Sequence, residues 1–378
     1  MTDTKSSRLE GLDLARFIAF AGMVIVNFSV VIGVKPDTSL AWQFTEALQG
    51  RAAASFVVLA GLGLGLGASG IAFGQSLSVT VRRSVFLLCI GLGNSLIFDA
   101  DILHYYAFYF LFAAFFIPLA SRWIWSAIVL LNVAFVVMIL TLDYDAGWNW
   151  DTYTYEDFWT VTGFIRNLFF NGWHPVIPWL SFMLLGLVLA RASLSDRRVQ
   201  VRLGLIGLAC VSVAEGVSWG LRALVMTTDP ELAELLTTAP VPPMPLYILA
   251  GSGAAMILCS LCLTLAPITK RFGLTAICAP AGRQTLTLYI GHILVGMGCL
   301  EALQLIESEA SAQSALTWSF AFIACAVIYA YAWSRVFKRG PIEALMRQTA
   351  GVTQGLIQPP RTQCAKISLW PDDGLFTT

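Results

Sequence analysis

The chain has 378 residues, of which 57% are hydrophobic and 12% are charged, and its formal net charge is zero. Soluble globular proteins carry about 25% charged residues, so this composition excludes a soluble fold. The zero net charge and the lack of a basic stripe with interleaved aromatic residues argue against nucleic acid as a partner.

Ten apolar segments follow one another along the sequence, and a helix needs about 20 apolar residues to cross a bilayer. The segments cover residues 14–34, 52–73, 82–98, 102–120, 123–142, 175–191, 203–226, 244–266, 284–305 and 314–336. No cleavage motif follows the first one, which indicates an uncleaved span, and the third and sixth are short. We predict an all-α integral membrane protein: a bundle of about ten transmembrane helices in one domain, residues 1–339, with the lipid bilayer as its partner.

Lys and Arg are concentrated at both chain ends and in every second loop, and the intervening loops carry few of them. Because positively charged loops stay on the cytoplasmic side, we predict a multi-pass protein of the cell (inner or plasma) membrane with both termini in the cytoplasm. The acidic, aromatic connection 143–174 is predicted to lie outside. The polar stretch 340–378 is predicted to be a loosely ordered cytoplasmic tail.

Two motifs resemble ligand-binding sites, but their context indicates a structural role in helix packing. The glycines in "GLGLGLGASG" (61–70) have dinucleotide-binding spacing, but they lie inside an apolar segment, where small residues four apart allow close helix contact. The "CSLC" stretch (259–262) has metal-ligand spacing without a second pair or a nearby histidine. Thiolates inside hydrocarbon are costly, so we predict no metal site.

The outward-facing ends of the spans carry a polar cluster. Asp101 and His104 are three residues apart and share a helix face, with Asp99 beside them. Arg51 and His174 open spans two and six at the same predicted depth. A carboxylate–histidine pair beside an arginine can transfer a proton next to an anion. The alternative is an interfacial salt-bridge network.

Two ionisable residues are predicted to lie deep inside spans. His292 follows Arg283 by nine residues, or about 14 Å of helix, and is predicted either to line a polar cavity or to bond a neighbouring helix. Glu215 in span seven needs a polar partner and belongs either to a structural network or to a cavity wall. Ionisable groups at such depth usually face a cavity or a partner.

The cytoplasmic start of span one carries Asp13 and Arg16, whose spacing of three favours an ion pair. A structural pair is one interpretation. The other is a cytoplasmic mouth that receives a polar cofactor, with Arg283 at the same surface.

Motifs along most of the chain resemble those of the YeiB-like bacterial membrane proteins, which are related to heparan-α-glucosaminide N-acetyltransferase and to the wider transmembrane acyltransferase superfamily. The motifs are "RLEGLDLARFIAFAGMVIVNF" (8–28), "GRAAASFVVLAGLGLGL" (50–66), "ADILHYYAFYFL" (100–111), "HPVIPWLSFMLLGLVLAR" (174–191), "PPMPLYILAGSGAAMIL" (242–258), "GRQTLTLYIGHILVG" (282–296) and "RGPIEALMRQTAG" (339–351). The resemblance implies an acyltransferase that moves a small acyl group from cytoplasmic acyl-CoA, such as acetyl-CoA, to an envelope glycan or small-molecule acceptor. It implies no tightly bound cofactor.

One departure from the family's pattern matters. The transferase relative has its key histidine between spans one and two, whereas this chain has no histidine before His104 and has Asn27 where many members carry one. The base would then be His104, oriented by Asp101, with Arg51 holding an anionic group and His292 lining the path; His174, His292 or a carboxylate are the alternatives. Two other functions stay open. One is a transporter that uses Glu215 and His292 as a proton relay, and the other is a non-catalytic scaffold. The oligomeric state is also open, with a homodimer as one alternative.

Overall fold

A computed structural model describes residues 9–351. We number the helices α1 to α16 in chain order and call the two π-helical segments π1 and π2. The first part of the chain forms α1 (Glu10–Ile32), α2 (Leu40–Leu48), α3 (Arg51–Ala68), α4 (Phe73–Asn94), α5 (Leu103–Phe116) and α6 (Ser121–Thr141). A two-stranded antiparallel ladder follows, in which β1 (Trp148–Asn149) pairs with β2 (Thr154–Tyr155).

The second part is helical again. It forms α7 (Val161–Arg166), π1 (Asn167–Asn171), α8 (Val176–Leu189), α9 (Arg197–Val225), α10 (Pro230–Leu235), α11 (Pro245–Arg271), α12 (Leu274–Arg283), α13 (Thr285–Gly291), π2 (His292–Met297), α14 (Gly298–Ala302), α15 (Ala312–Ser334) and α16 (Pro341–Thr349).

The helices confirm a multi-pass membrane architecture. Within residues 9–351, eight helical stretches are long and apolar enough to cross a bilayer, and a ninth results if α7–π1 and α8, bent by 52° at their break, form one span. The apolar helix α5 has only 14 residues. The count of ten spans and the orientation of the termini therefore stay predictions.

Local sequence signals set the ends of α1. Glu10 and Asp13 lie in its first turn, where negative charge is favourable beside the helix dipole. At the other end Gly33 adopts a left-handed conformation with φ of 73°, and its N–H bonds the Ser29 and Val30 carbonyls. This is the usual way in which a glycine ends a helix.

Both ends of the described chain lie at one end of the bundle, which we call the terminal end. Glu10 at the start of α1 forms an ion pair of 3.0 Å with Lys270 at the end of α11. Glu343 on α16 accepts hydrogen bonds from Leu286 and Thr287 at the start of α13. The opposite end, which we call the far end, carries the α4–α5 turn and the segment 142–175.

Two predictions about segment ends need correction. The third span is not short, because α4 begins at Phe73 and includes Arg82 and Arg83 near the terminal end. The stretch from Pro341 to Thr349 is helical rather than loosely ordered, because Glu343 fixes it to α13. The rest of the predicted tail, from 352 on, lies outside the described residues.

Helix α8 lies at the centre of the bundle, with 13 of its 14 residues buried. Gly61 on α3 faces the Met183 carbonyl of α8, and Gly186 on α8 faces the Val58 carbonyl of α3, so that a Cβ atom at either glycine would overlap backbone. The glycine-rich stretch therefore lets two helices touch backbone to backbone, which is the packing role that we predicted.

Candidate active site at the far end of the bundle

Two of the cavities between the described helices differ in size and lining. The larger, about 880 Å³, is a mostly apolar groove between α6 and α9 with α8 and α11 as its floor, and no histidine or carboxylate lines it. The smaller, about 100 Å³, lies at the far end and has His174 in its wall. Because proton transfer requires a titratable group within reach, the smaller one, called the far-end cavity below, is the candidate active site.

Several elements meet at the far-end cavity. Its polar side chains are Asn27, Gln49, His174 and Tyr289, with the indoles of Trp173 and Trp179. The remaining lining is apolar or glycine: Met23, Val26, Val30, Leu48, Gly50, Ala52, Ala53, Phe98, Ala100, Ile102, Pro240 and Val241. Val30 and Gln49 are exposed, so the cavity reaches the protein surface.

His174 lies between π1 and α8, where the chain bends into the bundle. Its ring meets Trp179 edge-on at 4.7 Å and Tyr105 at 5.8 Å between centroids, and its carbonyl accepts the Tyr109 hydroxyl. These contacts hold the imidazole in the cavity wall. Single π-helical turns such as π1 are frequent next to functional sites.

Three buried nitrogens in this wall lack a hydrogen-bond partner among residues 9–351. They are Nδ1 of His174 and the indole Nε1 of Trp173 and of Trp179. Buried polar groups are normally paired, so each unpaired one needs an explanation. All three residues line the same cavity, so this wall holds three nitrogens that no described residue satisfies.

His292 is fully buried and is connected to the cavity through Asn27 and Tyr289, which both line it. Its Nε2 lies 3.0 Å from the Asn27 Nδ2, and its Nδ1 is bonded to the Tyr289 carbonyl. Because a carbonyl only accepts, Nδ1 carries the proton and Nε2 accepts from the Asn27 amide. Both ring nitrogens are therefore in use, as in the predicted bond to a neighbouring helix.

Asp101 has no exposed surface and connects the α4–α5 turn to α13. Its Oδ1 accepts the Tyr289 hydroxyl at 3.1 Å and the Asn94 amide at 3.3 Å. Its Oδ2 accepts the Leu103 backbone N–H at 2.8 Å and lies 3.7 Å from the His104 Nδ1. Tyr289 thus links the predicted Asp101–His104 pair to the cavity.

His104 itself is not part of the cavity lining. Its Nδ1 lies 3.3 Å from the Ser95 hydroxyl, and its ring packs on Tyr105 and Phe158 with centroids 3.9 and 5.5 Å away. Its Nε2 is buried without a partner among the described residues. The structure therefore places His104 outside the cavity lining, with the Tyr105 ring in contact with both His104 and His174.

Arg51 and Glu215 are partners of each other. The guanidinium of Arg51 on α3 donates to the Glu215 carboxylate on α9, and the Thr238 hydroxyl donates to the same carboxylate at 2.9 Å. Neither charged residue lines the far-end cavity, and within residues 9–351 Arg51 forms no ion pair with Asp101. Glu215 shares no partner with His292 within residues 9–351, so no described contact supports the proton relay. Asp99 is exposed on the turn.

The remaining predicted residues lie at the terminal end. The predicted ion pair of Asp13 and Arg16 is present at 2.9 Å, and Asp13 is buried. Gly282 on α12 abuts the Asp13 carbonyl, and Arg283 follows it with an exposed side chain. Asp13 and Asn27 are separated by about 21 Å along α1, so this group is remote from the far-end cavity.

The sequence analysis missed four residues of the cavity: Asn27 as the partner of His292, Tyr289, and the indoles of Trp173 and Trp179. A signal for the tryptophans was present, because "GWHPVIPW" places them on both sides of a histidine at a helix break. Tyrosine and tryptophan in apolar surroundings usually find a partner for their polar end.

Comparison with protein families agrees with this architecture. A model described as the catalytic part of heparan-alpha-glucosaminide N-acetyltransferase matches residues 8–216, which is more than half of the chain. A second, described as a protein of unknown function (DUF418), matches residues 190–353. No curated protein matches the chain. The two matches cover α1 to α16, and the chain therefore belongs to the YeiB-like family of membrane proteins, which is related to heparan-α-glucosaminide N-acetyltransferase.

Proposed function

We propose that this protein is an acyltransferase of the cell membrane that transfers a small acyl group from acyl-CoA to an amine or hydroxyl acceptor at the far-end cavity. The observation that carries the proposal is the imidazole of His174, which lies in a surface-connected cavity with a buried, unpartnered nitrogen. The family relation to an N-acetyltransferase supports the reaction class. In the proposed orientation the terminal end faces the cytoplasm, so the thioester of a cytoplasmic donor has to extend about 21 Å along the bundle to reach the far-end cavity.

The proposed step is direct transfer between donor and acceptor. The acceptor nitrogen or oxygen attacks the thioester carbon, a new C–N or C–O bond forms, and the C–S bond breaks. His174 accepts the proton that the acceptor loses and returns it to the leaving thiolate sulfur. A positioned general base of this kind contributes about 10²–10⁴-fold to the rate.

The two indole N–H groups fit the other requirement of acyl transfer. Negative charge develops on the thioester oxygen in the transition state, and prearranged donors stabilise it. Trp173 and Trp179 present buried N–H groups that no described residue uses, and they flank His174 in the chain. In this proposal the far-end cavity is lined by one general base and by two N–H donors for the oxyanion.

His174 suits the role of base better than the other histidines. His292 has both ring nitrogens bonded, and His104 does not line the cavity. We therefore assign Asp101 and His292 to the support of the wall, because Asp101 holds Tyr289 and His292 holds Asn27, and we assign His104 no part in the reaction.

The test uses the full chain in nanodiscs with acetyl-CoA as donor and glucosamine as amine acceptor. Release of the CoA thiol and formation of the acetylated amine are both measured. We expect His174→Gln to lower the transfer rate about 100-fold or more. His104→Gln is the matched control and should keep most of the wild-type rate.

Thermal unfolding of each variant shows that it is folded. Equal rates for His174→Gln and wild type would overturn the role of His174. A wild-type protein that releases no thiol and acetylates neither glucosamine nor a panel of amines and alcohols would overturn acyl transfer itself.

A further inference from the structure

Three arginines converge at the terminal end, at a distance from the far-end cavity. Arg83 lies on α4, Arg347 lies on α16, and Arg339 lies just before α16, which packs across α4 and α13. Burial lowers the pKa of Arg347, and the nearby positive charges of Arg339 and Arg83 lower it further. The fold therefore holds the charge of Arg347 close to those of Arg83 and Arg339.

No carboxylate compensates this charge within residues 9–351. None of the three arginines forms an ion pair with a described acidic side chain. The acidic residue of the same helix, Glu343, directs its two oxygens to Leu286 and Thr287 on α13. Like charges held together without a counter-charge destabilise a fold, so a reason for keeping them is needed.

Two of the guanidinium groups also have unused donors. The Nε of Arg83 and the Nε of Arg347 are buried, and neither has a hydrogen-bond partner among the described residues. Guanidinium groups are rarely left in this state, because an unpaired buried donor of a charged group costs more than a neutral one. Both donors lie on the elements that bring the charges together, α4 and α16.

We propose that Arg83, Arg339 and Arg347 form a binding site for a phosphate group. A phosphate offers several acceptor oxygens and up to two negative charges, and guanidinium forks bind it through paired, charge-assisted hydrogen bonds. One phosphate satisfies both unpaired Nε–H donors and neutralises the repulsion. The site stands independently of acyl transfer, because it rests on residues outside the far-end cavity.

Two sources could supply such a phosphate at this end of the bundle. One is a soluble phosphate ester, as in the nucleotide part of acyl-CoA; the other is the headgroup of an anionic phospholipid. The site would recognise the same phosphate oxygens in either source. The experiment therefore presents the phosphate either on a nucleotide in solution or on a lipid in the bilayer.

The full chain is placed in nanodiscs of phosphatidylcholine or of phosphatidylcholine with phosphatidylglycerol, and its thermal unfolding is followed with and without adenosine 3′,5′-bisphosphate. A ligand that binds only the folded state raises the midpoint. Stabilisation by the nucleotide in pure phosphatidylcholine identifies a soluble ester. Stabilisation by phosphatidylglycerol alone identifies a lipid headgroup.

The variants are Arg83→Gln and Arg347→Gln, with Arg198→Gln on α9 as the control, because Arg198 is an arginine near the terminal end that is exposed, whereas Arg83 and Arg347 are partly buried. We expect each of the first two to weaken binding of the stabilising phosphate about tenfold or more, and Arg347→Lys to weaken it less. The control should bind as wild type does. Raising the salt concentration should weaken binding in every case.

If Arg83→Gln does not fold, Arg347→Gln and Arg347→Lys carry the test alone, since α16 has no fully buried residue. The proposal is overturned if neither the nucleotide nor phosphatidylglycerol stabilises the wild type. It is also overturned if all three glutamine variants lose the same stabilisation, since the effect would then be one of general surface charge.

Discussion

The Asn27 amide nitrogen lies 3.0 Å from Nε2 of His292, and this bond joins α1 to the π-helical turn π2 across 265 positions of sequence. Asn27 lines the far-end cavity, whereas His292 is fully enclosed behind it. The asparagine thus fixes the protonation pattern of an imidazole that no substrate touches.

The bond between Asn27 and His292 should be measurable as a coupling energy. Asn27→Ala leaves Nε2 of His292 buried without a donor, and we expect it to cost about 1–3 kcal/mol of unfolding free energy. In a double-mutant cycle with His292→Ala, the coupling should reach about 0.5–3 kcal/mol. Val26→Ala, one position away, is the control for lost side-chain volume. Additive effects would show that the bond contributes nothing.

Gly91 on α4 should tolerate no side chain, because a Cβ atom there would overlap the His104 backbone nitrogen on α5. We expect Gly91→Ala to lower stability by about 1–3 kcal/mol, as overpacking does, and to displace His104. Gly93→Ala is the matched control, since nothing lies within 4 Å of a Cβ atom at that position. Thermal unfolding in nanodiscs compares the two. Equal midpoints would contradict the close approach of α4 and α5.

The Arg51–Glu215 pair should contribute little stability. The two side chains are 24% and 45% exposed, and exposed ion pairs are worth about 0–1 kcal/mol. We expect Glu215→Gln to lower the unfolding midpoint slightly at low salt and less at high salt. The same variant, in a liposome assay of pH-driven solute movement, should behave as the wild type. A loss of proton-coupled transport in Glu215→Gln would instead revive the transporter hypothesis.

Glu343 should anchor α16 to the start of α13. Its carboxylate accepts from the Leu286 and Thr287 backbone N–H groups and from the Thr287 hydroxyl at 2.6–3.0 Å. Charge-assisted bonds of this type contribute about 1.5–3 kcal/mol each at most, so Glu343→Ala should destabilise clearly. Gln348→Ala, exposed on the same helix, is the control. Hydrogen exchange at Leu286 and Thr287 should accelerate in Glu343→Ala only.

The helices were predicted well from the sequence, because a bilayer allows few backbone conformations other than the α-helix. Every backbone group in hydrocarbon must be bonded within its own segment, so apolar runs such as 314–336 correspond closely to helices such as α15. The errors lie where helices extend beyond the apolar run. Residues 73–81 are polar enough to suggest a loop, yet they form the first part of α4.

The site was predicted less completely, because its residues come together through packing and not through spacing. The Asp101–His104 pair was visible as a spacing of three, and the structure confirms that the two side chains are neighbours. The partners of Arg51 and His292 were not visible, since Glu215 and Asn27 are 164 and 265 positions away. Depth along a span likewise does not give the direction of a side chain, which is why the contact of Arg51 with Glu215 was not predicted.

The glycine contacts between α3 and α8 also determine which parts of the far-end cavity can move. Because backbone meets backbone at Gly61 and Gly186, α3 and α8 cannot shift against each other there without a clash, and the pair is expected to move as one unit. Trp179 on α8 and Ala53 on α3, which both line the cavity, are therefore fixed relative to each other. Any widening of the cavity to admit a larger acceptor has to come from its opposite wall, where Asn27 and Tyr289 stand on α1 and α13.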